Sequence, residues 1–387
     1  MADPIIRSLL DQDLYKFTMA QVVLHQFPDA WVKYRFKCRN EVDLTPYKDS
    51  IEKEIDNLCN LRFTGRELEY LSGIRFFKKD FIEFLRLFQL NREFIAISIK
   101  NGKLDITVEG PWLHTIFFEI FVLSIVQELY FREQNIDYRE LEGRLDTKIK
   151  LLKEYKKELP ADKYPIIADF GARRRISHMV HSFVLSNLVK HGIISGTSDV
   201  WMAMCNNIKP IGTFAHEFVM AFQGLNKCQL RDSQVYAFDA WVREYRGDLG
   251  IALSDTLGTN KFLKDFDLFF AKLFDGARHD SGCPLKWGDT LIQHYKGLNI
   301  NPKNKILVFS DGLDISKVIE LHRYFKDQIK VSFGVGTHLT NDCGIPALQN
   351  VMKMVECNGN PVAKLSNDAG KGMCENDGFL KYLKSVI

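Results

Sequence analysis

The chain has 387 residues, 26% of them charged and 46% hydrophobic, with a net charge of +3 and a sequence pI of about 8.3. That length exceeds one small core and calls for two or more lobes in an ordinary globular protein. The charge is too weak for a nucleic-acid binder, which needs a concentrated basic face, and it is compatible with an anionic small-molecule substrate.

The N-terminal MADPIIRSLLDQD carries acids early and lacks a long apolar core, so we expect no signal peptide, and a cytoplasmic protein. Residues 1–135 read as mixed α and β. Trp31–Cys38 (WVKYRFKC) alternates and is rich in aromatics, as a half-buried strand does. Residues Phe94–Val108 hold two more candidate strands around Asn101-Gly102. The greasiest stretch, Leu113–Phe131, contains His114, Glu119, Gln127 and Glu128, which a lipid-facing span would tolerate only at high cost. It is expected to be a buried helix, and no membrane partner is expected. Eight scattered cysteines form no CxxC pair, and we expect reduced thiols rather than disulfides or zinc.

From Pro165 the rhythm changes. Short apolar runs end in polar, Gly-rich corners and are followed by helical stretches: PIIADFGARR (165–174), GIISGTSD (192–199), IKPIGTFAHE (208–217), LGIALSDT (249–256), LFDGARHDSG (273–282), KILVFSDG (305–312) and KVSFGVGT (330–337). Between the last two, Val318, Leu321, His322 and Phe325 share one face of a helix expected over Ser316–Lys326. Seven consecutive βα units imply a parallel sheet closed, or nearly closed, into a barrel. Cys357–Ser366 is expected to return as one or two strands to the first lobe. The expected domains are an N-terminal α/β lobe (1–135), an α/β barrel with the active site (136–345), and a C-terminal segment rejoining the first lobe (346–387).

In such a barrel the chemistry sits in the loops after the strands. One such corner alone is ordinary turn chemistry; seven of them rich in Arg, Asp, His, Ser and Gly describe a large polar pocket. The last two, Ser310-Asp311-Gly312 and Gly334-Val335-Gly336-Thr337, suit a phosphate, because glycine lets backbone N–H groups approach and Thr337 adds a hydroxyl. Arg278 could hold a carboxylate bidentately, and Asp280 or Asp255 could bind sugar hydroxyls or magnesium; a surface ion pair and a turn would explain the same residues. His216, beside Glu217, could act as base or nucleophile, with His279 as the other candidate of this kind. Of Arg173, Arg174 and Arg175, which must splay around a helix start, Arg173 is nearest the strand end and best placed to face the pocket.

Taken in order, SLLDQDLYKFTMAQ (8–21), YRFKCR (34–39), DFGARRR (169–175), GTS (196–198), GTFAHE (212–217), IALSDT (251–256), RHDSG (278–282), FSDGLD (309–314), FGVGT (333–337) and VECNGNPVAKLS (355–366) resemble the bacterial nicotinate phosphoribosyltransferase family along nearly the whole chain. The resemblance implies an irregular α/β barrel with an N-terminal α/β lobe, usually as a homodimer. It implies transfer of a phosphoribosyl group from phosphoribosyl pyrophosphate to nicotinate, with ATP as co-substrate and Mg2+ as cofactor. It assigns Tyr15 to stacking on the pyridine ring, Arg278 and Thr213 to nicotinate, and Ser198 to its ring pocket. Asp280 is assigned to the ribose, Asp311, Gly312, Gly334, Gly336 and Thr337 to the 5-phosphate, and His216 to transient phosphorylation. The family pattern reads DSGD where this chain has Cys283. A nicotinamide- or quinolinate-using relative, a phosphate-binding barrel aldolase or isomerase, and a nucleotide-binding protein without activity stay open as alternatives.

Overall fold

The structure is a computed structural model describing residues 3–368 and 371–387. Its strands are β1 (Trp31–Cys38), β2 (Ile95–Lys100), β3 (Lys103–Pro111), β4 (Ile166–Asp169), β5 (Gly196–Thr197), β6 (Lys209–Pro210), β7 (Ile251–Leu253), β8 (Gly276–His279), β9 (Ile306–Phe309), β10 (Lys330–Val335), β11 (Asn350–Cys357) and β12 (Asn360–Pro361). They form two sheets, ordered β12-β11-β1-β3-β2 and β6-β5-β4-β10-β9-β8-β7. Every one of the seven apolar runs expected as a barrel strand carries one strand of the second sheet. That sheet is a curled half-barrel whose end strands are β6 and β7. The chain divides into two compact units, Met1–Leu151 with Asp169–Ile211 and Gly336–Lys353, and Leu152–Ala168 with Gly212–Val335 and Met354–Ile387.

In the first unit, β1 and β2 flank β3 in antiparallel register, with Trp31 opposite Pro111 and Ile95 opposite Val108. Asn101 and Gly102 both take positive φ, 50° and 70°, the requirement of a tight two-residue hairpin turn. The apolar stretch forms two helices, Trp112–Thr115 and Phe118–Arg132, and is almost wholly buried. Its acid is satisfied in place: Glu119 pairs with Lys16 at 2.7 Å, both nearly inaccessible. β11 lies beside β1 in the first sheet. This strand comes before Cys357 rather than after it, and Asn358-Gly359, again with positive φ, turns it into β12.

In the second unit, β7, β8, β9 and β10 run parallel, with Leu253 opposite Arg278, His279 opposite Phe309, and Phe309 opposite Phe333. This register brings the residues after each strand out at one edge of the sheet: Asp255 after β7, Asp280 and Ser281 after β8, Ser310 and Asp311 after β9. Phe309 stacks on Phe325 and Phe333 at 5.5 and 5.8 Å and meets Trp287 edge-on. The helix Ile315–Phe325 buries Val318, Leu321, His322 and Phe325 as its spacing predicts, and Asp314 caps it by accepting from the Lys317 N–H. All eight cysteines are free.

Candidate functional site

Among the described residues, one group of His, Cys, Asp and Glu side chains converges closely: His216, Asp255 and Asp280, with candidate ligand atoms within 4.8 Å of one another. His216 opens the short helix His216–Ala221 that follows β6. Its Nε2 lies 2.8 Å from Asp255 Oδ1 and 3.5 Å from Asp280 Oδ2. The other Asp255 oxygen accepts from the Ser281 hydroxyl at 2.7 Å. Asp280 Oδ1 receives the Arg278 guanidinium at 3.1 Å, and Arg278 Nε donates to Ser310 Oγ at 2.7 Å. Lys364 closes the cluster, its ammonium 3.0 Å from Asp255 and 3.4 Å from Asp280.

These contacts set the protonation states. Burial, reinforced by the Lys364 ammonium, pushes the His216 imidazole down to about 4, so it is neutral at pH 7. Burial would raise Asp255, but the His216 imidazole, the Lys364 ammonium and the Ser281 hydroxyl hold it well below the usual carboxylate range. With His216 neutral, the hydrogen bond from its Nε2–H remains, together with the Lys364 ammonium and the Ser281 hydroxyl. Asp280 is likewise held low against its burial, first by Arg278. A neutral imidazole giving its Nε2–H to Asp255 keeps its lone pair at Nδ1, the state a nucleophile requires. The acid orienting His216 is Asp255, thirty-nine residues away, and not the adjacent Glu217; successive residues on a helix point about 100° apart. His279, the other candidate, gives its ring to Gly282 O and packs edge-on against Trp287. Its position is that of a core histidine.

Other residues singled out from the sequence have defined partners. The Thr213 hydroxyl donates to the Ile251 carbonyl of β7 at 3.0 Å. Asp311 pairs with Lys371. Gly312 takes positive φ (55°), and Gly334 lies inside β10. In the first unit, Gly336 and Thr337 open the four-residue helix Thr337–Thr340. The three arginines splay as expected. Arg175 is fully buried on Asp11, Arg174 reaches the Asn350 carbonyl, and the partly exposed Arg173 lies 4.0 Å from Glu119. The Ser198 hydroxyl donates to the buried Asp13, and the Ser198 carbonyl accepts the Leu14 N–H at 2.7 Å. Ser198 thus anchors the start of the helix that carries Tyr15, a buried residue whose ring has the Lys16 ammonium 5.7 Å from its centre. Lys364 was visible only as part of a motif; nothing in its spacing marked it, because its partners lie 84 and 109 residues earlier.

Known proteins resemble this chain along nearly its whole length. The family described as "Nicotinate phosphoribosyltransferase (NAPRTase) family" matches residues 166–387, and its "N-terminal domain" matches residues 10–127. A nicotinate phosphoribosyltransferase of Burkholderia mallei (strain ATCC 23344) is 55% identical over 392 residues, covering 99% of this chain and 97% of the relative. One from Ralstonia nicotianae is 53% identical over 391 residues, covering 99% of both. The crystal structure of nicotinate phosphoribosyltransferase from Vibrio cholerae superposes with a TM-score of 0.95 at 38% identity, covering 100% of this chain and 94% of that one.

Proposed function

We propose a mechanism from one premise: this chain belongs to the nicotinate phosphoribosyltransferase family. It is an enzyme of NAD biosynthesis that transfers the phosphoribosyl group of phosphoribosyl pyrophosphate to nicotinate. The observation carrying this reading is 55% identity along 99% of the chain. The pyridine nitrogen attacks C1 of the donor and pyrophosphate departs, through a transition state of oxocarbenium character. The protein's work is then positioning and electrostatics.

Within the second unit, Arg278 is fixed by Ser310 and Asp280, which suits it to hold the nicotinate carboxylate near Thr213. Asp280 is assigned to the ribose hydroxyls, and Ser310, Asp311, Gly312 and Gly334 to phosphoryl oxygens. In the first unit we assign Gly336 and Thr337 likewise to phosphoryl oxygens, and Tyr15, Arg173 and Ser198 to the pyridine carboxylate and its ring. ATP is the co-substrate that phosphorylates His216. The Nε2 contact with Asp255 favours Nδ1 as the phosphorylated atom.

Magnesium is proposed as the counter-ion that arrives with the phosphate substrates and neutralises the departing pyrophosphate. His216, Asp255 and Asp280 do not fit a resident magnesium site. The Lys364 ammonium already lies against both carboxylates, and the imidazole is a poor partner for a hard ion. The homodimer rests on the resemblance alone, and the cytoplasmic location is proposed from the scattered cysteines, all free thiols in the structure.

The test is pyrophosphate release by the purified protein with nicotinate and phosphoribosyl pyrophosphate together, against nicotinamide and quinolinate as alternatives. Release that requires neither nicotinate nor the donor, or that prefers another pyridine, overturns the reading.

A further inference from the structure

We propose that Lys364 is the resident cation of the His216 cluster and binds the phosphoryl group as it passes from ATP to His216. The proposal rests on the phosphohistidine reading above and names the residue that makes phosphorylation possible there.

Three observations carry it. The first is how firmly Lys364 is delivered. Gln223, just past the helix that His216 opens, clamps the backbone of Ala363 on both sides, donating to its carbonyl at 2.8 Å and accepting its N–H at 2.7 Å. Leu365 N–H donates to the carbonyl of Thr256, the residue after Asp255, at 2.8 Å. Lys364 itself exchanges two backbone hydrogen bonds with Met373. The short extended run Ala363–Leu365 is therefore pinned to the two elements that carry His216 and Asp255, and the side chain between these anchors must enter the cluster.

The second is burial. The Lys364 side chain is 6% exposed and Asp255 1%. A buried ion pair is a weak source of stability, because desolvation offsets most of its attraction, so stability alone does not explain placing one there. The third is charge. With His216 neutral, Asp255 and Asp280 are balanced by Lys364 and Arg278, and the cluster is close to neutral. A phosphoryl group adds about two negative charges. Without Lys364 it would have to approach two buried carboxylates offset by Arg278 alone.

The step balances. The Nδ1 lone pair of His216 attacks the γ-phosphorus, the bond to the bridging oxygen breaks, and ADP leaves with the electron pair. His216 keeps its Nε2 proton, so the ring becomes cationic and its charge is met by Asp255. The charges of the transferred phosphoryl are met by Lys364.

The experiment incubates the enzyme with γ-labelled ATP and magnesium and follows acid-labile, base-stable protein label by rapid quench. The wild type is expected to label, His216→Ala not at all, Lys364→Met at least about 100-fold more slowly, and Lys364→Arg within about tenfold of the wild type. Circular dichroism checks that each variant folds. If Met at 364 compromises folding by leaving the carboxylates uncompensated, the double variant D280N/K364M restores the charge balance, and it is expected to label about 100-fold more slowly than D280N alone, because the ammonium that contacts the phosphoryl group is missing. A Lys364→Met protein labelling at the wild-type rate, or that double variant labelling at the D280N rate, overturns the Lys364 proposal while leaving phosphohistidine intact. An unlabelled wild type overturns the phosphohistidine reading, and the phosphoryl role of Lys364 with it.

Discussion

Replacing Cys283 by Asp separates a structural from a catalytic role for the family's second acid. Cys283 is the N-cap of the helix Pro284–Gly297, with extended dihedrals (φ −74°, ψ 116°), an exposed side chain and no capping hydrogen bond from it. Pro284 lacks an N–H, so the Leu285 and Lys286 N–H groups are the first that a capping carboxylate could accept. Thiol sulfur accepts poorly. An Asp cap contributes about 0.5–2 kcal/mol, and its charge against the helix dipole adds about 0.3–1 kcal/mol. At about 2.1 cal/mol/K per residue, unfolding the whole chain as one block carries about 0.8 kcal/mol/K, so each kcal/mol raises the melting temperature by about 1 °C; if one unit melts alone the rise is about 2.5 °C. Cys283→Asp should therefore raise the first calorimetric transition by about 1–7 °C, with kcat/KM for phosphoribosyl pyrophosphate unchanged within a few-fold. The gain needs an ionised carboxylate. Its folded pKa lies below the unfolded value, so the gain is present above roughly pH 4 and disappears as pH falls through the folded pKa. A gain of about tenfold or more in kcat/KM, or a marked fall in the magnesium required, would refute the capping argument and place the acid in the chemistry.

Three further outcomes follow from the geometry. Asp255→Asn removes the carboxylate that meets the charge developing on His216, and should slow ATP-dependent labelling about 100-fold; unchanged labelling would mean that the 2.8 Å contact is incidental. Because His216 titrates near 4 rather than 6.5, ADP formation by the wild type should hold from pH 7 to 5 and decline only toward pH 4; an acid limb at pH 6–6.5 would show that the imidazole is ordinarily basic. Ser198→Asp sets a carboxylate against buried Asp13, a like-charge contact costing several kcal/mol. It should therefore lower the melting temperature well below that of Ser198→Ala, and equal melting of the two would detach Ser198 from Asp13.

Much of the barrel was legible because its signals are local. Each apolar run from 165 to 337 ends in a turn whose Gly and polar residues are dictated by the backbone, and a run of βα units admits few topologies. The burial of Phe118–Arg132 followed from the cost of exposing Glu119, though Lys16 as its partner did not. The Pro284 that follows Cys283 marks a helix start in the sequence, because Pro suits the first helical position. The turn Asn358-Gly359 lies between two short apolar segments that each look like a strand, and the structure puts the longer strand before it, over Asn350–Cys357, with only Asn360–Pro361 after it.

The amino-acid sequence by itself determined the element types, the strand ends where polar residues collect, and the residue types gathered there. Which residues act together was decided only by the tertiary structure. The parallel register of β7, β8 and β9 sets Asp255, Asp280 and Ser310 side by side. Hydrogen bonds to the Gln223 side-chain amide and the Thr256 carbonyl bring Lys364 from the far end of the chain. The neutrality of His216 exists only once these groups are buried together. Burial and charge act over a few ångströms of space, whatever the separation along the chain, and no spacing rule in the sequence can report them.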